Sequence, residues 1–141
     1  MVVRSLRRMA VALPPPAIVR CIDGVAAARA LFADIATAPH EIAGIAYLAR
    51  DRALLGMRYI RGARDRVAVS PRLLASDALS LDARFVVMAH NHPSGDVTPS
   101  PGDLAWTRAI ARVLDGIEVR MVDALILAGD RTTSFRALGL L

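Results

Sequence analysis

Two apolar stretches with charged residues only at their ends, residues 41–50 and 84–89, constrain the fold most. Short runs of this kind, bounded by turn-forming residues, are typical of strands that are buried in a sheet. The sequence Asp51-Arg52 predicts a turn after the first stretch, and Leu54–Arg61 predicts its antiparallel partner. The chain is therefore expected to build its core around a sheet.

Helical and strand patterns alternate along the rest of the chain. Asp23 is a plausible N-cap for a helix over about Gly24–Ala36, which Pro39 ends. Two serine-proline pairs predict further helices, since Ser can cap and Pro suits the first helical position. The remaining predicted elements are a short strand at Val67–Val69, helices from Pro71 to about Leu79 and from Ser100 to Gly116, and strands at Ile117–Val122, Ala124–Ala128 and Arg131–Phe135. This order predicts an α/β fold with a single mixed β-sheet and flanking helices, on one face or on both.

The composition indicates one globular domain preceded by a basic arm. A length of 141 residues suits a single domain, and 55% hydrophobic residues are enough for a core. Residues 1–20 carry four arginines and no acidic residue, whereas residues 21–141 carry 14 arginines against 13 acidic residues. We therefore expect an Arg/Pro arm at residues 1–20 and a domain at residues 21–141, with most of the net charge of +5 on the arm.

The cellular setting is expected to be the cytoplasm. Cys21 is the only cysteine, so it has no disulfide partner within the chain, which fits a reducing compartment. No apolar run approaches the ~18 residues of a membrane-spanning helix, and the stretch after the first arginines is too short for a signal peptide. No membrane partner is expected, and the oligomeric state is left open.

Basic residues in the body of the chain allow two interpretations. Arg58, Arg61, Arg64 and Arg66 surround Asp65 and suggest either a nucleic-acid surface or a solvated strand edge that discourages aggregation. The solvated edge is the favoured interpretation, because the body of the chain is nearly neutral.

The sequence His90-Asn91-His92 follows the second apolar strand. Residues i and i+2 of a strand lie on the same face, so both imidazoles can converge on one metal ion. The alternative is a pair of polar residues at the mouth of a loop, each hydrogen-bonded to backbone. Asp103, eleven residues after His92, can add a third ligand and leave a fourth tetrahedral position for water, as in catalytic zinc sites.

Asp103 and Glu41 also have structural explanations. Ser100 and Asp103 fit a capping box, and an acidic residue in the first turn of a helix is favoured by the helix dipole. Glu41 stands at the start of an apolar strand, either as a surface residue or as the carboxylate that a metal-dependent hydrolase needs as a base.

Together these residues resemble the JAMM (JAB1/MPN/Mov34 metalloenzyme) motif of a glutamate, His-x-His-Pro and Ser-x-x-Asp. The segment from Ala89 to Ser100 and the C-terminal segment from Ser134 to Leu141 resemble the bacterial RadC family more narrowly. The resemblance covers roughly residues 40–141. It implies a JAB/MPN domain of cytidine-deaminase-like architecture and a zinc-dependent peptidase or isopeptidase.

By the same resemblance, His90, His92 and Asp103 bind zinc, Glu41 is the general base, and Ser100 stabilises the oxyanion. The implied substrates are peptides or proteins, including ubiquitin-like conjugates. The family also carries a DNA-repair label, which provides the alternative of an accessory domain that binds nucleic acid through its arm. RadC-like proteins typically have a helix-hairpin-helix module before this domain, and we expect that module to be absent.

Two other metal-dependent functions fit less well. A magnesium-dependent nuclease prefers a site rich in carboxylates, whereas this one combines two histidines with one acidic residue. A zinc nucleobase deaminase needs two cysteine ligands, and Cys21 is the only cysteine.

Overall fold

In a computed structural model, which describes residues 21–62 and 70–141, five strands form one mixed sheet. The strand order is β2-β1-β3-β4-β5; β3 and β4 run parallel, and the other neighbouring pairs are antiparallel. The predicted class, α/β with a single mixed sheet and flanking helices, is confirmed. The elements in chain order are α1 (Val25–Leu31), β1 (Ile42–Leu48), β2 (Leu54–Arg61), α2 (Pro71–Ser80), β3 (Phe85–Asn91), α3 (Pro101–Asp115), β4 (Arg120–Ala128) and β5 (Arg131–Ser134).

Helices cover both faces of the sheet. Leu74 of α2 and Ile110 of α3 pack in one core cluster with Ile45 and Met88, whereas Phe32 after α1 packs in the other. Alternate residues of β1 and β3 enter opposite clusters, because successive side chains of a strand point to opposite faces. Burial on both faces explains why the central strands are apolar along almost their whole length.

Two predicted element boundaries were wrong. The first helix ends at Leu31 and continues only as turns, and Gly24 is its N-cap with no side-chain hydrogen bond, so Asp23 does not cap it. The strands predicted at Ile117–Val122 and Ala124–Ala128 are one strand, β4. A polar residue within an apolar pattern suggested a break, but Asp123 is buried and accepts a hydrogen bond from the Ser134 hydroxyl.

Arg58 corrects the predicted solvated edge. Its side chain is only 6% exposed and binds both carboxylate oxygens of Asp77 in α2, whose Oδ2 also accepts a hydrogen bond from the Tyr47 hydroxyl. Bidentate pairing through Nε and Nη2 offsets much of the cost of removing this guanidinium from water, although Nη1 has no hydrogen-bond partner among the described residues. Arg61, at the end of β2, is exposed as expected.

Several predictions lie outside the described residues: the arm at residues 1–20, the strand at Val67–Val69, and Arg64 and Arg66. Within residues 21–62 and 70–141, no helix is both long and apolar enough to cross a bilayer.

Candidate metal centre

The two histidines lie at the C-terminal end of β3. His90 pairs with Ile126 of the parallel strand β4, and the amide of His92 donates a hydrogen bond to Leu127, so the chain keeps its extended path beyond the strand. The two side chains therefore share a face of the sheet. Their Nε2 atoms are 3.1 Å apart, which points both imidazoles at the same place.

Asp103 reaches this place from the first turn of α3. It forms a capping box with Ser100: the Asp103 amide donates to Ser100 Oγ at 3.0 Å, and the Ser100 amide donates to Asp103 Oδ2 at 2.9 Å. The same carboxylate places Oδ1 3.4 Å from His90 Nε2 and Oδ2 3.3 Å from His92 Nε2. Capping and proximity to the histidines are thus combined in one side chain rather than being alternatives.

The Asp103 carboxylate is buried and ionised. Its side chain is only 3% exposed. Burial by itself raises the pKa of a carboxyl group, but hydrogen bonds from His90 and from the Ser100 amide outweigh it and hold the pKa of Asp103 well below its usual range. The group therefore presents a full negative charge to the two imidazoles.

Glu41 joins the histidines from the neighbouring strand. It precedes β1, which runs antiparallel to β3 with Ala43 opposite His90. Continuing this register brings Glu41 next to His92, and the ligand atoms of Glu41, His90 and His92 all lie within 4.8 Å of one another. All five residues singled out in the sequence, Ser100 included through its bonds to Asp103, meet at one end of the sheet.

Asn91, to which the sequence analysis assigned no role, holds the segment that carries Glu41. Its Oδ1 accepts a hydrogen bond from the Ile42 amide at 2.6 Å, and its Nδ2 donates to the carbonyls of Ala38 and His40 at 3.1 and 2.9 Å. The side chain is 1% exposed. Alternation along β3 was the available signal, because Asn91 must face away from the two histidines.

The loop after the histidines sets the tautomer of His92. Its Nδ1 lies 2.6 Å from the carbonyl oxygen of Asp96. A carbonyl only accepts hydrogen bonds, so Nδ1 carries the proton, and Nε2 of the neutral ring keeps its lone pair for a metal. The Asp96 backbone thus orients a ligand, which the sequence pattern did not indicate.

The geometry fits a tetrahedral metal ion. Zinc bonds of ~2.0–2.1 Å at tetrahedral angles place neighbouring ligand atoms about 3.3 Å apart. The three contacts among His90, His92 and Asp103 measure 3.1, 3.4 and 3.3 Å, with one Asp103 oxygen facing each histidine. Two imidazoles and a carboxylate can therefore hold a metal ion here and leave a position open.

A cavity of about 360 Å³ opens beside His92. This volume is within the range of ligand-binding pockets. Its charged lining residue is Arg131, at the start of β5. Small side chains make up much of the rest of the wall, namely Ala36, Thr37, Ala38, Gly95, Ala128 and Gly129. The small side chains leave the space beside His92 open.

Residues 22–140 match the family model described as a RadC-like JAB domain, which covers most of the chain. The chain belongs to the RadC-like JAB family. The resemblance of the sequence motif to this family is confirmed.

Relatives with the name UPF0758 protein support this assignment. One from Cupriavidus necator is 40% identical over 114 residues, which cover 79% of this chain and 50% of the relative. Others from Cupriavidus pinatubonensis and Rhodobacter capsulatus are 45% and 44% identical over 86 and 81 residues, covering 61% and 57% of this chain and 38% of each relative. The chain thus spans about half or less of the length of these relatives.

Proposed function

We propose that this RadC-like JAB domain is a zinc-dependent hydrolase that cleaves a peptide or isopeptide amide bond. The observation that carries the proposal is the convergence of the His90 and His92 Nε2 atoms, 3.1 Å apart, with the Asp103 carboxylate, whose two oxygens lie 3.4 and 3.3 Å from them. Two imidazoles and one carboxylate are a donor set that suits zinc better than magnesium or calcium. A zinc ion held by these residues would supply Lewis-acid chemistry and would lower the pKa of a bound water to about 7.

Glu41 is the proposed general base. Its carboxylate comes from the segment just before β1 and lies beside both histidines, within reach of a water there, so it can take a proton from water and return it to the leaving nitrogen. Water adds to the amide carbon and the carbon–nitrogen bond breaks, which gives a carboxylic acid and an amine. Asn91 holds the backbone next to Glu41 and thereby limits the positions that the carboxylate can take.

Ser100 is the proposed donor to the substrate oxygen. Its Oγ accepts the hydrogen bond from the Asp103 amide, which leaves the hydroxyl proton to donate elsewhere. A hydroxyl beside the metal can stabilise negative charge that develops on the amide oxygen during attack.

The most direct test of this proposal measures the zinc content and the cleavage rate of two variants, Glu41→Gln and Asp103→Asn. A screen of peptides and ubiquitin-like conjugates is expected to yield a substrate, and Glu41→Gln is expected to keep zinc but lose a factor of ~10²–10⁴ in rate. Asp103→Asn is expected to lose zinc as well as activity. The matched control is Glu118→Gln, at the other glutamate of the chain, which is exposed just before β4.

Three results would contradict the proposal. The first is a zinc-loaded protein that cleaves nothing in the screen, and the second is equal activity in Glu41→Gln and the intact protein. The third is loss of zinc in Glu41→Gln with zinc retained in Asp103→Asn, which would make Glu41 a ligand in place of Asp103.

Nucleic-acid binding through the basic arm stays a prediction, because residues 1–20 lie outside the described part of the chain. Its test is salt-sensitive DNA binding that is lost when residues 1–16 are deleted.

A further inference from the structure

A second cavity, of about 260 Å³, lies at the opposite end of the sheet from the metal centre. Arg120, which lines it, pairs with Phe85 at the start of β3, whereas His90 pairs with Ile126. Six residues of strand separate Arg120 from Ile126, a distance of about 20 Å at ~3.3 Å per residue. The nearest lining residues along the strands, Val87 and Asp123, are three residues or about 10 Å from His90 and Ile126, and Val87 faces the α1 side of the sheet, so the cavity is separate from the proposed hydrolytic site.

Three arginines from distant parts of the sequence line this cavity: Arg52 in the β1–β2 turn, Arg120 in β4 and Arg136 after β5. Within residues 21–62 and 70–141, none of them has a carboxylate at ion-pair distance, although Arg58 and Arg84 do. The fold thus places three arginines, Arg52 half-buried and Arg120 and Arg136 exposed, along the border of one small cavity without an ion pair for any of them in the described part of the chain.

Two of the guanidinium groups are held in place. The central carbon of the Arg52 guanidinium lies 3.9 Å from the centre of the Phe85 ring, a cation–π contact that also stacks the planar group. The Nε–H of Arg136 donates to the carbonyl of Val122 in β4. Because these two side chains are already oriented, a ligand that binds to them incurs a smaller loss of side-chain conformational entropy.

Two carboxylates also line the cavity, but they do not cancel its charge. Asp123 is 6% exposed, and its oxygens accept hydrogen bonds from three neutral donors, the amides of Ala124 and Arg136 and the hydroxyl of Ser134. Asp23 is exposed at the rim. The hydrogen bonds to Asp123 stabilise its carboxylate but leave its charge, so the three arginines and two carboxylates of the lining give the cavity a net charge of +1.

We propose that this cavity binds a phosphoryl group of a small ligand. A guanidinium binds phosphate through two parallel hydrogen bonds, and a phosphoryl dianion offers more acceptor oxygens and more charge to several such groups than a carboxylate does. The volume lies just below the ~300 Å³ at which pockets for drug-sized ligands begin, so it suits a small phosphorylated molecule.

Inorganic pyrophosphate is the probe for this site, with the full chain at physiological salt. Calorimetry is expected to show saturable binding that Arg52→Gln and Arg120→Gln each weaken by about tenfold, as for loss of a charge-assisted hydrogen bond. Arg108→Gln removes an exposed arginine of α3 that does not line the cavity, and is expected to bind as the intact protein does. Arg136 is left unchanged because its bond to Val122 also supports the fold.

Amide chemical shifts locate the binding. The expected shifts affect Gly24, Ala28, Val87 and Val122, which line the cavity. Shifts confined to the segment around His92, where pyrophosphate can chelate a metal, would overturn the proposal. So would an absence of saturable binding, equal affinity in the Arg52→Gln and Arg120→Gln variants and the intact protein, or complete displacement of pyrophosphate by duplex DNA at equal phosphate concentration.

Discussion

At the scale of single residues, the buried Tyr47–Arg58–Asp77 cluster shows how polar groups are accommodated inside this sheet. Asp77 pairs with the Arg58 guanidinium and accepts the Tyr47 hydroxyl at 2.8 Å. Burial, and next to it the charge of Asp77, raises the pKa of Tyr47 far above its ordinary value of 10. The phenol therefore stays neutral in the folded protein.

Tyr47 is expected to make the fold sensitive to alkaline pH. In the unfolded chain Tyr47 ionises near its ordinary pKa, whereas the raised pKa keeps it protonated in the folded chain. The folded state then binds more protons, and its stability falls as pH rises above about 10, by up to ~1.4 kcal/mol per pH unit. Urea denaturation at pH 8 and pH 11 measures this loss.

Tyr47→Phe is expected to lose less stability between these two pH values than the intact protein. Tyr59→Phe is the matched control, because it also removes a tyrosine whose pKa is raised by burial, with a further contribution from Asp34. This variant retains the Tyr47 effect. An equal alkaline loss in Tyr47→Phe and the intact protein would show that Tyr47 ionises in the folded state.

Asn91→Ala is expected to lower the free energy of unfolding by about 2–3 kcal/mol, because it leaves the Ile42 amide and the carbonyls of Ala38 and His40 without their partner. Urea denaturation measures the loss. Ser94→Ala, in the loop that follows β3, removes an exposed hydroxyl that accepts a hydrogen bond from the Asp96 amide, and is expected to cost less than ~0.5 kcal/mol. Equal losses in both variants would argue against the support that Asn91 provides for the Glu41 segment.

At the scale of elements, β1 depends on one glycine. A Cβ added at Gly44 would lie 2.6 Å from the Phe32 ring, which packs on this strand from the α1 side. Gly44→Ala is expected to cost about 1–3 kcal/mol through overpacking. Denaturation of Gly44→Ala, Phe32→Leu and the double variant tests this. The two losses should sum to more than the loss of the double variant, and simple additivity would place the strain elsewhere.

Element boundaries were predictable where local pattern and packing agree. Leu54–Arg61 was predicted with the bounds that the structure has, and the helix from Pro71 was one residue short, because turn residues and the Ser70 cap act locally. β4 was divided wrongly at Asp123, since the hydroxyl of Ser134, eleven residues away, accommodates its carboxylate. Arg58 was misplaced for the same reason, because its partner Asp77 lies in another element.

At the scale of the whole molecule, the proposed zinc site connects β3, the loop after it and α3. A metal bound there stabilises the folded state by about 4 kcal/mol at a thousandfold excess of free zinc over Kd, which corresponds to roughly 10 °C in Tm. Thermal denaturation after chelation and after zinc addition measures this shift. Asp103→Asn is expected to show little response, and an unchanged Tm in the zinc-treated intact protein would argue against the site.

The sequence by itself determined the apolar strands β1 and β3, the bounds of β2, the Ser100–Asp103 cap and the spacing of the candidate metal-binding motif. These features depend on neighbours along the chain, so periodicity, turn chemistry and motif spacing were sufficient. Only the tertiary structure decided that helices cover both faces, that Asn91 holds the segment before β1 next to His92, and that Arg52, Arg120 and Arg136 share a cavity. Each of these depends on which strands pair and at which register, and that is set by long-range packing of the whole sheet.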